Sequence, residues 1–505
     1  MTVFGIDFGT CYSCIAIAES GREPRVIPTA QGENTLPSVV EFRLKKNGKP
    51  RVGSGAKNAM TPVSDNVAAF LKTEMDKEES AQTYRVRDNE TRSISPIEFA
   101  ACIYKELQLQ SRTLCVAEQQ NNDYRAVITV PAVCSEIQRE KTKIAAELAG
   151  WNVIKVITEP TAAAISYRIN EGETIMVFDL GGGTHDVSIV QRVDKDNYQV
   201  IVTKGDSCLG GKDWDEKLVE LAYKKLGLMF SKDVLTHSRL IEFERHKINL
   251  CSSDDISFAF IDDDGVQHQV SLSLEEFEEF TEPLVERAIK VASNAADETV
   301  RDHPNVVINR ICMSGGACRM PALSRALQQS FKRIPVAIND PDRAVATGAA
   351  VYALSLSEEG HGKYEVTERG HAYGFKTYNS NDGNPVIENF INIFDPLEIK
   401  SHTIRKYMSV TSDKQRITIF ENTDTRSVFP WRGENVFFDC VLQFDRRRTV
   451  GSPLDITFER DSNGLVSIIV EADGKISNFS FATTAGSISS QIIDRVNSLI
   501  LLMEQ

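Results

Sequence analysis

Two segments of the chain share one design. FGIDFGTCYSCIAIA (4–18) and MVFDLGGGTHDVSIV (176–190) each run from an apolar strand into an Asp, then a Gly-rich turn with Thr, then a second apolar strand. A repeat at this separation points to a duplicated domain whose halves face one another. The surrounding sequence agrees, because over residues 1–355 the apolar runs AVITVP, KVIT, TIMVFDL and VINRICMSGG alternate with helical stretches such as SEIQREKTKIAAELAG. Alternation of that kind predicts α/β layers around largely buried sheets.

The character changes from about Tyr373 onward. ENFINIF, QRITIFE, NVFFDCVLQF, LDITFER, LVSIIVEA and SNFSFATT are short strand-like runs, with Asn-Gly at 463–464 and Asp-Gly at 473–474. They predict an antiparallel β-sandwich over 373–486. Residues 356–372 are polar and Gly-containing and read as a linker. The stretch 487–505 has helical spacing of its apolar residues and reads as one short helix.

Composition narrows the function. The balance 57 − 71 = −14 argues against a nucleic-acid or anionic-lipid partner, and 41% hydrophobic with 25% charged residues excludes global disorder. No apolar run reaches the ~18 residues of a membrane span, and the first residues carry no secretion signal. The ten cysteines are scattered through apolar segments, which suits reduced thiols and a cytoplasmic home. Cys11 and Cys14 form a CxxC, but without a second pair to complete a zinc site.

The two Gly-rich turns carry the chemistry. Successive backbone N–H groups with no side chain in front of them form an anion nest. Thr10 and Thr184 add hydroxyl donors, while Asp7 and Asp179 close each first strand and suit Mg²⁺ held through its retained waters. A third turn, CMSGGACRMPA (312–322), follows an apolar run and precedes a helical LSRALQQSF, which predicts backbone amides and a helix N-terminus turned to a phosphate compound. The lysine loop GxxxxGK[ST] is absent.

These residues resemble a known family. DFGT (7–10), DLGGGT (179–184), GDSCLGG (205–211), EPTAAA (159–164) and GGACRMP (315–321) are similar to the nucleotide-binding signatures of the seventy-kilodalton heat-shock (DnaK-type) chaperones. TLPSVVEF (35–42), VPA (130–132), AAELAG (145–150) and AVATGAA (344–350) extend the likeness over nearly all of 1–355. The resemblance implies an actin-like fold with ATP or ADP, Mg²⁺ and room for K⁺ between two lobes, followed by a peptide-binding sandwich with little of the family's helical lid. Its partners would be unfolded or specific client polypeptides, a J-domain co-chaperone and a nucleotide exchange factor.

The resemblance also implies roles. Lys72 and Thr10 would reach the terminal phosphate, with Thr184 donating from the second loop. Asp7, Glu159 and Asp179 would orient the attacking water and the hydrated metal, with Asp7 and Asp179 holding it through water. Gly9, Cys11, Tyr12, Gly181, Gly182, Gly183, Gly210, Gly211, Glu244, Lys247, Gly315, Gly316, Arg319 and Asp342 would bind ATP. Cys11, His185, Lys212, Ile248, Cys251 and Ala317 depart from the family pattern, so the phosphate grip is kept while the adenine side loses polar groups. A slow ATPase chaperone follows. The alternative from another class is a nucleotide-binding regulator, resembling exchange factors, with little ATPase cycling. A small-molecule kinase on the same fold is disfavoured because a sandwich follows the nucleotide unit.

Overall fold

The computed structural model describes residues 2–504 except 43–47, 61–65, 88–89, 116–122, 196, 339, 358–363, 368–371, 379–383, 393–398, 409–410, 423–425, 432, 434, 461–465, 473–474 and 481–487. The chain forms two compact units, one of residues 1–134, 141–366 and 490–505, the other of 135–140 and 367–489.

The repeat becomes two sheets of matching topology. In the first, Thr2–Asp7 pairs in parallel with Arg125–Val130, which pairs in parallel with Asn152–Thr158, while Tyr12–Glu19 runs antiparallel on the other side. In the second, Thr174–Leu180 pairs in parallel with Arg310–Ser314 and antiparallel with His185–Arg192. Both first strands are apolar on both faces, as strands covered on two sides must be. The helices Glu159–Ser166 and Ala344–Ser355 cross closely beneath. Their Ala- and Gly-rich sequence is what permits it, since a Cβ on Gly348 would lie 1.7 Å from the Ala162 carbonyl oxygen. A Cβ on Gly5 would lie 2.1 Å from the Ala350 nitrogen, so the second helix rests directly on the first central strand.

The second sheet has a further edge. Glu365–Thr367 lies beside Asn197–Asp206. The polar composition of 356–372 suggests a segment that gains little by docking. Tyr364 and Val366 overturn that expectation, because both pack against the buried cluster and the Tyr364 ring meets Tyr198 edge-on at 5.5 Å. The rest of the proposed linker falls mostly outside the described residues.

The second unit contains two antiparallel sheets. One runs Val428–Pro430, Pro385–Ile391, Ala372–Tyr378, Ser412–Asn422, Asn435–Arg448, and the other Ile399–Tyr407, Pro453–Arg460, Val466–Ala472, Lys475–Ser480. Tyr373, Ile419, Phe438, Phe458 and Ile468 join in one core. The strand Ser412–Asn422 alternates imperfectly in sequence because a bulge lies between Ile419 and Phe420. Ile419 therefore joins the main core, while Phe420 joins a separate cluster with Ile387 and Phe429. The turns at 463–464 and 473–474 lie outside the described residues, but the strands flanking each do pair as hairpins.

Candidate functional site

The antiparallel register sets the acids. Asp7 stands opposite Cys14, and Asp179 stands opposite Asp186, each at the turn end of its hairpin. The turns meet closely. A Cβ on Gly182 would lie 2.2 Å from the Cys11 sulfur, and one on Gly210 would lie 2.4 Å from the Gly183 nitrogen. Glycine is required at both positions by contact rather than by conformation. The amides of Gly211 and Lys212 donate to the carbonyls of Gly181 and Gly182 at 2.9 Å each, which ties the Asp179 turn to the start of the helix Gly211–Leu226.

These elements enclose a cavity of about 640 Å³. Of the residues singled out in the sequence, Asp7, Gly9, Thr10, Cys11, Tyr12, Lys72, Glu159, Asp179, Gly181, Gly182, Thr184, Gly211, Glu244, Lys247, Gly315, Gly316, Arg319 and Asp342 line it. Gly183 and Gly210 do not; they are spent on packing the turns together. The third Gly-rich turn reaches the wall through the short 3₁₀ turn Gly316–Arg319, and its α-helix begins only at Pro321. That turn, rather than the expected helix N-terminus, supplies the lining. Arg319 forks onto Asp342 at 2.9 and 2.6 Å.

One end of the cavity is crowded with charge. Lys72 Nζ donates to Glu159 Oε1 at 2.7 Å, with both side chains about nine-tenths buried. Burial opposes the lysine charge, but Glu159 and Asp7 outweigh it and hold its pKa above the ordinary value. Burial, then the charge of Glu159, pushes Asp7 up to about 7. Asp179 is raised as well, by burial, Glu159 and Asp7. Asp186 is a site residue that the sequence reading missed. It lines the cavity, its Oδ1 is buried without a hydrogen-bond partner, and burial with Glu159 pushes it up to about 7. The signal was present, because Asp186 is two residues past Thr184 and therefore cross-strand from Asp179. Several carboxylates thus surround one lysine, and one carboxylate oxygen is left unpaired.

The other end is built differently. Lys57 Nζ donates to Glu244 Oε2 at 2.5 Å and to the Tyr12 hydroxyl at 2.6 Å. Lys247 donates to the Gly211 carbonyl at 2.8 Å and lies 2.8 Å from Asp215 Oδ1. Lys57 and Asp215 were also missed; Asp215 closes the stretch GGKDWD (210–215), Lys57 belongs to no motif, and both reach the cavity from helices. Ile248, Cys251 and Ala317 line this end as well, and Ile248 is half exposed.

His185 does not face the cavity. It is fully buried, its ring tilted against Phe178 at 4.5 Å, with Nδ1 2.9 Å from the Asp179 carbonyl and Nε2 3.1 Å from the Ala288 carbonyl. Burial holds its pKa below the ordinary value despite both contacts. It acts as a packing residue between strand and helix.

Cys14 donates its thiol to the Asn34 carbonyl at 3.4 Å. No helix among the described residues is long and apolar enough to cross a membrane.

Duplicated hairpin sheets closing on one acid- and glycine-lined cavity, in a chain that also carries a sandwich, define an actin-like two-lobed α/β protein with a β-sandwich domain. A family model described as Hsp70 protein matches residues 3–367. The chain belongs to the Hsp70 family and is a chaperone of the Hsp70 kind.

Proposed function

We propose that the cavity binds Mg·ATP and hydrolyses it slowly, and that the sandwich holds extended segments of unfolded client polypeptides. The observation that carries the first part is the meeting of Asp7, Asp179, Glu159 and Lys72 at one end of a single cavity rimmed by two glycine turns. A lysine ammonium there would counter charge on the phosphoryl oxygens as it develops. Glu159, already hydrogen-bonded to that ammonium, would fix its direction and accept from the attacking water. Thr10 and Thr184 would donate to phosphate oxygens. When bound, the metal ion would neutralise phosphate charge, and Asp7 and Asp179 would hold it through its waters, with Asp186 placed to contribute its unpaired oxygen. The same carboxylates would suit K⁺.

The second part is supported by family membership, since a sandwich edge and its pockets bind extended peptide through main-chain hydrogen bonds. By the same likeness, the partners would be a J-domain co-chaperone and an exchange factor, and the setting cytoplasmic. The nucleotide-binding regulator draws support from Ile248, Cys251 and Ala317 at the base end, which weaken the grip on nucleotide without touching the phosphate end. Single-turnover hydrolysis separates the readings. The expected result is slow phosphate release that Lys72→Ala abolishes while ATP binding survives, because the ammonium matters more to the transition state than to the ground state. Equal rates for mutant and wild type would overturn the assignment of Lys72, and no release from wild type would favour the regulator.

A further inference from the structure

The segment that presents Lys72 is held in a conformation its own residues do not favour. Phe70 has φ 63°, in the left-handed region. A bulky residue sits there only where its surroundings over-determine it. Lys72 follows at once, in the 3₁₀ turn Leu71–Glu74. Upstream, the Phe70 ring meets His237 edge-on at 5.2 Å. Downstream, Lys141 Nζ donates to the carbonyls of Asp76 and Lys77 at 2.9 and 2.8 Å. Two residues further on, Glu79 Oε1 accepts from Arg495 Nη2 at 2.6 Å.

Arg495 comes from far away in sequence. It lies on the helix Ser490–Glu504, which buries Ile492, Val496, Leu499 and Met503 and packs on the helix Pro96–Cys115. Its Nη2 is also 3.2 Å from Glu98 Oε2. Glu98 is fully buried and accepts a fork from Arg92 at 3.0 and 2.7 Å and the Ser95 N–H at 2.9 Å. At the far end of the helix, Glu504 accepts from Lys105, which is 2% exposed, at 2.5 Å. Two arginines and two glutamates thus close a charge-balanced group over the start of the helix Pro96–Cys115. That helix reaches the cavity through Phe8, next to Asp7, since its Phe99 and Tyr104 rings lie 6.4 and 5.4 Å from the Phe8 ring. The apolar stripe alone would anchor Ser490–Glu504. Arg495 reaches beyond the stripe to the Lys72-bearing segment.

We propose that Arg495 is a positioning residue for Lys72: by tying Glu79 to the fixed carboxylate of Glu98, it holds the 70–80 segment so that the ammonium faces the phosphate. The inference rests on the ATPase reading above and assigns the helix Ser490–Glu504 to the hydrolytic machinery. Arg495 shapes the rate, not the affinity.

The experiment uses the full chain with Arg495→Ala, Arg495→Lys, Glu79→Gln, which removes the charge of the tie from the other side, and Leu501→Ala, an exposed control on the same helix. Single-turnover hydrolysis, ADP affinity by calorimetry and amide hydrogen exchange are measured on each. Because a misplacement of about 1 Å can cost up to about 10²-fold, Arg495→Ala and Glu79→Gln should each slow hydrolysis about tenfold with affinity changed by less than about twofold. Exchange should quicken across 71–80, Arg495→Lys should recover most of the rate, and Leu501→Ala should match wild type. Unchanged hydrolysis in Arg495→Ala overturns the proposal, as does a parallel loss of rate and affinity. If wild type itself fails to hydrolyse ATP, the ATPase reading falls on that result alone. Exchange then decides the tie: faster exchange across 71–80 upholds it and unchanged exchange overturns it.

Discussion

The cavity is clasped at its Glu244 end by a bond that, on the proposed reading, should govern how fast nucleotide leaves. Lys57, on the helix Ser54–Ala59, meets Glu244, on the helix His237–Leu250, and the ammonium also lies 4.6 Å from the Tyr12 ring centre. The two side chains are 10% and 13% exposed, so water screens the pair only in part. Beneath it Ile241 joins Val39, Ala56, Val67 and Ala69 in a small apolar cluster. Hydrogen bonds to charged groups contribute about 1.5–3 kcal/mol. Partial exposure and the surviving apolar contact argue for the lower part of that range, about 1.5–2 kcal/mol, or roughly ten- to thirtyfold in the balance between closed and open cleft. Release of a fluorescent ADP, followed by stopped flow, should speed up by about that factor in Glu244→Gln and in Lys57→Met. Glu244 would also touch the nucleotide directly, so the double mutant is the deciding measurement. If the clasp is the cause, the double mutant releases ADP no faster than the quicker single one, a coupling of more than about 0.5 kcal/mol. Effects that simply add would refute the clasp.

Other predictions follow from the same cavity. Ile248→Arg should tighten nucleotide binding about tenfold by calorimetry, through a cation–π or stacking contribution of roughly 0.5–2 kcal/mol, and no tightening would mean that the isoleucine already covers the base. Gly348→Ala should lower stability by at least about 1–3 kcal/mol in denaturant titration, because backbone rather than a movable side chain blocks the new methyl. With Asp7 and Asp186 raised to about 7 in the folded protein, the native state holds protons that the unfolded chain releases near pH 3.8. Ligand-free stability should therefore fall as pH rises from about 4 to 7, and Asp186→Asn should raise the thermal midpoint at about pH 8 but not at about pH 4. A midpoint equally shifted at both would remove the carboxylate from the explanation.

Much of the fold was legible in the chain itself. A period-two apolar strand, an Asp and a glycine turn constrain their own neighbours, so both hairpins, their acids and the threonines of their turns could be read locally. The sandwich was legible as a set of strands, but the side each residue faces was not. A single bulge at Ile419/Phe420 reverses the alternation, and no local propensity announces a bulge. The same limit hides the edge strand Glu365–Thr367 within the polar 356–372, which forms because the second sheet offered an open edge and a place for Tyr364.

Only the tertiary structure decided the partners of charge. Lys57, Asp215 and Arg495 sit in unremarkable surface-like contexts in sequence, and each acquires its role from a carboxylate or lysine brought beside it by folding. Asp186 acquires its role from register. Glycine turns and strands are set by interactions within a few residues. An ion pair across 416 positions, as between Glu79 and Arg495, depends on where the helix Ser490–Glu504 comes to rest beside the 70–80 segment, and that is settled by the packing of the whole unit.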